Sequence, residues 1–250
     1  MIDMEIVFLG TNGWYSTALG DTVSILVKTN DCNIVFDAGN GFNKLNEYAD
    51  FSRPTYLFIS HFHLDHISGL HALLKFNFRK GLSIISKSGG DKFLEKFINS
   101  PFTFPLRNLP YKTKLITLPK AIKDIPFKID FLPLVHSGGT IGFRIEKENK
   151  AITYCPDTAF CKNAVKLSKK ADILITECAF RSGENREKWF HLNPELAAAI
   201  AAKAGAKKLY LTHFDACRYK TFNDRLKAQK AARKIFPKTY ASKDGMRVKI

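Results

Sequence analysis

Nine short apolar runs are the strongest constraint on what this chain can fold into: Glu5 to Leu9, Val23 to Lys28, Asn33 to Phe36, Tyr56 to Ile59, Leu82 to Ile85, Lys128 to Leu132, Ala151 to Tyr154, Ile173 to Thr176 and Lys208 to Leu211. Each has the length of a strand, and most are nearly continuous rather than alternating, the pattern of strands covered on both faces. Helices must supply that cover. The candidates are "DHISGLHALLKF", "GGDKFLEKFIN" and "NPELAAAIAAKAG". The last carries Asn193 as N-cap, Pro194 at the first helical position and Gly205 as the stop. Asn30-Asp31 between two apolar runs predicts a hairpin, so part of the sheet is antiparallel. The expected class is α/β with mixed sheets between helices. No Pro/Gly/Ser-rich linker, repeat or low-complexity tract interrupts the chain, which predicts one domain over residues 1–250.

The run Tyr56-Leu57-Phe58-Ile59 leads into "SHFHLDHISGL", which holds three of the chain's seven histidines within six positions. His61 and His63 are two apart as a strand ends, so their rings share a side if the strand geometry persists. Asp65 and His66 follow as the chain turns into a helix, and one short segment can thus feed two adjacent metals. Imidazole and carboxylate donors bind such ions at about 2.0 to 2.2 Å, so further ligands must come from distant segments. His136, Asp157 and His213 each lie just past an apolar strand, where loops are held by a rigid sheet. Asp37 in "IVFDAGNG" is a candidate carboxylate for orienting a ligand histidine. His71, beside Leu70, Leu73 and Leu74, reads as structural.

Charge and cysteine content narrow the setting. The net charge is +16, and residues 201–250 hold 14 Lys/Arg against only Asp215, Asp224 and Asp244. Lys227, Lys230 and Lys234 recur at helical spacing as a stripe that suits phosphates or, equally, solvent. Five cysteines without a C-x-x-C pair read as reduced and mostly buried. Asp3 and Glu5 stand where an export signal would be basic, so the expected location is cytoplasmic, away from membrane.

The series His61-x-His63-x-Asp65-His66, then His136, Asp157 and His213, resembles the binuclear metal site of the metallo-β-lactamase superfamily. The resemblance spans nearly the whole chain, from "VFLGTNG" and "FDAGNGF" onward. It implies a four-layer αβ/βα sandwich with two divalent metal ions, zinc first and manganese or iron next. It places His61, His63 and His136 on one ion, Asp65, His66 and His213 on the other, and Asp157 between them. Leu64 stands where oxygen-reducing di-iron members carry Glu, which argues against redox chemistry. Asp157 stands where the β-lactamases usually have Cys, which disfavours a lactam.

His191 in "KWFHLNPELAAA" and Glu177 in "ILITECAF" resemble the extra histidine and supporting glutamate of the ribonuclease Z-like phosphodiesterases, as do Arg218 and Tyr219 in "THFDACRY". That likeness implies His191 as the proton donor to the leaving oxygen, Glu177 as its support and Asp65 as the group orienting the attacking water. Ser137 and the Gly138 and Gly139 amides, with Arg218, are candidate substrate contacts. Only 20 residues separate His136 from Asp157, so the long tRNA-gripping arm of ribonuclease Z is missing. The expected activity is hydrolysis of a small cyclic or linear phosphodiester, or of short RNA or DNA, with a homodimer left open. The alternatives are tRNA 3′ processing, thioester or lactone hydrolysis, and a non-catalytic nucleic-acid binder with structural metals.

Overall fold

The structure, a computed structural model, describes residues 4–120, 122–184, 186 and 189–250. Its backbone contacts divide the chain into two compact units. The first takes residues 1–10, 23–126 and 245–250, and the second residues 11–22 and 127–244.

The first unit is built on β1 (Glu5–Gly10), β2 (Ser24–Lys28), β3 (Asn33–Phe36), β4 (Thr55–Phe58), β5 (Leu82–Lys87) and β6 (Thr113–Leu118), adjacent in that order, with Arg247–Lys249 added outside β1. The first pairings are antiparallel; β3–β4, β4–β5 and β5–β6 are parallel. The Asn30-Asp31 hairpin forms as expected, closed by the Thr29 amide donating to the Cys32 carbonyl at 3.0 Å. Short helices α1 (Leu45–Tyr48), α2 (Leu64–Ile67) and α3 (Gly90–Phe97) lie between strands. The core joins strand residues such as Val7, Leu26, Val35, Leu57 and Ile84 to Phe42, Ile67, Leu70 and Leu94. Continuous burial along these strands explains their unbroken apolar runs.

One predicted helix is interrupted. Instead of a single α-helix through "DHISGLHALLKF", α2 gives way to a 3₁₀ segment at Ser68–Lys75. The reason is lateral: the Ala38 amide donates to the His66 carbonyl and the Gly69 amide to the Ala38 carbonyl, each at 2.8 Å. Those bonds divert the groups that an α-helical ladder would use. Gly69 permits the approach, since a Cβ there would sit 2.3 Å from the Gly39 carbonyl oxygen.

The second unit repeats the mixed plan. Strands β7 (Lys128–Pro133), β8 (Ile141–Lys147), β9 (Lys150–Cys155), β10 (Ile173–Glu177), β11 (Leu209–Thr212) and β12 (Thr239–Ala241) are adjacent in order, antiparallel up to β9 and parallel beyond. Helices α4 (Lys162–Leu167), α5 (Pro194–Ala204) and α6 (Phe222–Arg233) bury an alanine-rich stripe with Leu174, Leu209 and Leu211. In α5 the end signals act as read: Asn193 Oδ1 accepts from the Leu196 amide at 2.9 Å, and Gly205 closes the helix at φ 62°. Lys227 and Lys230 are exposed on α6, as is Lys234 at its C-cap. Cys32, Cys155 and Cys178 are buried, Cys161 is half-buried and Cys217 is exposed; all five are free thiols. Among the described residues no helix is long and apolar enough to cross a membrane.

Candidate metal centre

In the first unit the candidate ligands follow directly from β4. His61 is fully buried and His63 exposed, yet their ring centroids are only 4.7 Å apart, and those of His61 and His66 are 4.1 Å apart. His63 is the N-cap of α2, which starts the helix at Leu64 and brings Asp65 Oδ2 to 3.7 Å from His66 Nε2.

Asp37 organises this group. It sits at the end of β3 in a left-handed conformation, φ 55°, with its carboxylate fully buried. Oδ1 accepts the Ser60 amide, and Oδ2 accepts the Ser60 hydroxyl and His66 Nδ1–H, all at 2.8 Å. Ser60 in turn has its Oγ 3.0 Å from His61 Nδ1. One carboxylate therefore fixes two imidazoles, one directly and one through a hydroxyl. With Nδ1 engaged, Nε2 is the nitrogen left to donate a lone pair, the arrangement that orients histidine for a metal.

The second unit gathers its residues from separate strand ends. Asp157, past β9, has Oδ1 3.2 Å from His213 Nε2 and Oδ2 3.7 Å from His136 Nε2, so each oxygen faces a different histidine. His136 Nδ1 meets the hydroxyl of buried Thr140 at 3.2 Å. His213 follows β11 at φ 52° and is 4% exposed. Gly13 is packed against its imidazole so closely that a Cβ there would lie 2.5 to 2.8 Å from three ring atoms.

His191 joins the same group. The donor atoms of Asp157, His191 and His213 lie within 4.8 Å of one another, and the His191 and His213 rings stack at 6.0 Å. His191 Nδ1–H donates to Glu177 Oε1 at 2.8 Å. Glu177, fully buried at the end of β10, also accepts the Thr158 amide at 2.7 Å and the Ala179 amide at 3.1 Å. Burial alone would push the His191 pKa down, but the Glu177 charge and hydrogen bond outweigh it and raise it to about 9.

The candidate substrate contacts fare differently. The Gly138 amide is directed at His136 Nδ1 (3.4 Å) and the Gly139 amide at the His136 carbonyl (3.2 Å), which spends both within the turn. Ser137 is exposed. The Arg218 guanidinium is engaged by Asp215 and by Glu184 at 2.9 Å and lies over the Phe180 and Trp189 rings. It reads as a brace for the loop. His71 is exposed and donates to the Ser68 carbonyl at 2.6 Å, outside the cluster.

Sequence reasoning passed over Ser60, Gly13 and Arg225. Arg225 is fully buried in α6, donates to Thr11 Oγ1 at 2.8 Å and to Asn12 Oδ1, and lies 4.7 Å over the Phe214 ring. Burial lowers its pKa to about 10, against the opposing pull of Asp244. It thereby pins the segment that carries Gly13 to Phe214, the residue after His213. The detectable signal was an arginine in register with Ala228 and Ala232 on a buried helical face.

The family model described as Beta-lactamase superfamily domain matches residues 32–214. The "Probable metallo-hydrolase YhfI" of Bacillus subtilis (strain 168) is 26% identical, over 84% of this chain and 86% of that protein. A ribonuclease Z of Thermosynechococcus vestitus is 28% identical, over 96% of this chain and 74% of that protein. Among solved structures, the metallo-beta-lactamase fold protein YhfI from Bacillus subtilis superposes over 100% of both chains with a TM-score of 0.82 at 24% identity. Human tRNase Z, short form, superposes over 99% of both chains with a TM-score of 0.78 at 22% identity, a likeness of fold alone.

Proposed function

Because the chain belongs to the β-lactamase superfamily, we propose that its two histidine sets together hold two divalent metal ions and that it hydrolyses phosphodiesters. The donor chemistry fits: His61 and His66 have Nδ1 engaged by Ser60 and Asp37, and Asp157 offers one oxygen toward His136 and one toward His213. By the family resemblance, His61, His63 and His136 serve one ion, Asp65, His66 and His213 the other, with Asp157 shared. All nitrogen and carboxylate oxygen, this set suits zinc, manganese or iron. Bound there, the metals would supply Lewis acidity and lower the pKa of water.

The protein's own residues perform the proton work. Asp65 orients the attacking water and draws on its proton. His191 gives a proton to the departing oxygen, and Glu177 holds the ring and stabilises its cationic form. Ser137, at the mouth of the β7–β8 turn, contacts a phosphate oxygen.

The observation that carries the phosphodiesterase reading over ester hydrolysis is the His191–Glu177 pair, 2.8 Å apart, beside Asp157 and His213. Expulsion of an alkoxide from phosphorus needs a general acid, typically about 10² to 10⁴-fold in rate. On metal-loaded protein, His191→Ala should be slow on a dialkyl-type phosphodiester and nearly normal on bis-p-nitrophenyl phosphate, with metal content unchanged. Brisk lactone or thioester hydrolysis without phosphodiesterase activity would sink the assignment. Loss of metal would instead make His191 a ligand.

The second reading, tRNA 3′ processing, has the ribonuclease Z relatives in its favour. Against it, β8 and β9 form a plain hairpin between His136 and Asp157, with no arm.

A further inference from the structure

A row of phenylalanines leads away from the histidine loop in the first unit. Phe62, between His61 and His63 in sequence, has its ring centroid 4.5 Å from that of Phe93. Phe93 lies 6.1 Å from Phe97 at an interplanar angle of 14°, and Phe97 lies 6.4 Å from Phe102 at 22°. Gly90 permits the row to start: a Cβ there would meet the Phe62 ring at 2.7 Å, so only glycine lets the first turn of α3 close on it.

These rings are not simply core. Phe62 and Phe97 rest on the hydrophobic cluster, but Phe93 and Phe102 are 41% and 63% exposed. Their setting is cationic. The Lys87 ammonium is 5.8 Å from the Phe62 centroid, and exposed Lys92 and Lys96 form the helical stripe of α3 next to that of Phe93 and Phe97. Residues 75–114 contain nine Lys/Arg against Asp91 and Glu95. Exposed, near-parallel aromatic rings with lysines close by in a cationic segment match a polymer that alternates flat rings with negative charges.

We propose that this row is a stacking surface for the bases of a single-stranded nucleic acid, with the lysines on its phosphates. Every base has a π face, so such a surface is sequence-tolerant, and it rejects a duplex, whose bases are already stacked. The inference rests on the phosphodiesterase reading only for which phosphate the strand presents to His61 and His63. Binding needs no turnover, so the two can fail separately.

The test is fluorescence anisotropy with a labelled, phosphorothioate-linked DNA strand of roughly 12 nucleotides, single-stranded and as a duplex, on metal-loaded protein. The single strand should bind at least about tenfold tighter than the duplex, and Phe93→Ala/Phe102→Ala should lower its affinity by about tenfold or more. Phe93→Trp/Phe102→Trp should restore binding. Lys92→Glu/Lys96→Glu, confined to exposed positions, should weaken binding and flatten its salt dependence. Equal binding of strand and duplex, or a double alanine variant that binds like wild type, overturns the proposal. A wild-type dimer that the alanine variant splits, with strand binding unchanged, would assign the face to a second copy of the chain.

Discussion

The two units assemble their histidines in opposite ways. In the first, three come from one loop of six residues and two of them answer to a single buried carboxylate, with Asp37 holding His66 directly and His61 through Ser60. In the second, His136, His191 and His213 come from distant loops, each with its own support: Thr140, Glu177 and the Gly13 packing surface. The first arrangement concentrates risk in one residue. The second distributes it, and so allows one histidine to carry a different task from its neighbours.

The largest effects should come from exchanging the two buried carboxylates for amides. Glu177→Gln keeps the shape but not the charge, so the rate on a poor leaving group should fall by about 10² to 10⁴, with metal stoichiometry intact. Asp37→Asn puts an NH₂ among three donors in a fully buried pocket. It should lower stability by roughly 3 kcal/mol and metal affinity by about 10 to 100-fold. Thermal melts and elemental analysis on both variants break the comparison if Asp37→Asn retains metal and Glu177→Gln loses it.

Gly13→Ala should be next. Its methyl group would displace the His213 ring, an overpacking cost of about 1 to 3 kcal/mol. Cobalt titration should show one weakened site and one near normal. Two equally weakened sites would mean that the supports are less independent than the geometry indicates.

The smallest effect lies far from the histidines. The Arg247 hydrogen bond holds the Glu5 carboxyl below its usual range, assisted by Lys28 and opposed by partial burial. A carboxyl depressed in the folded state contributes stability above its unfolded pKa and loses it as pH falls through the folded value. After solvent screening the contribution is at most about 1 kcal/mol. Amide exchange should quicken in β1 and residues 247–249 on acidification, with Glu5→Gln abolishing that increment; identical profiles for variant and wild type would remove the pair from the account.

The same contrast explains what was readable. The 61–66 loop is contiguous, so residue type and spacing alone announced a candidate metal site, and the apolar runs announced nearly every central strand. The edge additions at Thr239–Ala241 and Arg247–Lys249 went unread because three-residue strands are too short for periodicity to register. Of these, Thr239–Ala241 pairs in parallel with β11, a choice made by the crossover through α6 and invisible locally. His136, Asp157 and His213 were picked out by their shared place just past apolar runs, whereas His191 was found through resemblance, since nothing local distinguishes a lone histidine ahead of a helix.

The amino-acid order by itself determined most of the strands, the capped helix at Pro194–Ala204 and the donor types, because burial periodicity, capping chemistry and ligand chemistry are properties of neighbouring residues. Tertiary structure alone decided that Asp37 serves two histidines, that Gly13 is the floor under His213, that Arg225 pins that floor and that α2 yields to a 3₁₀ turn. Each of these depends on groups far apart in the chain meeting within van der Waals or hydrogen-bonding distance, and such meetings leave no local pattern to read.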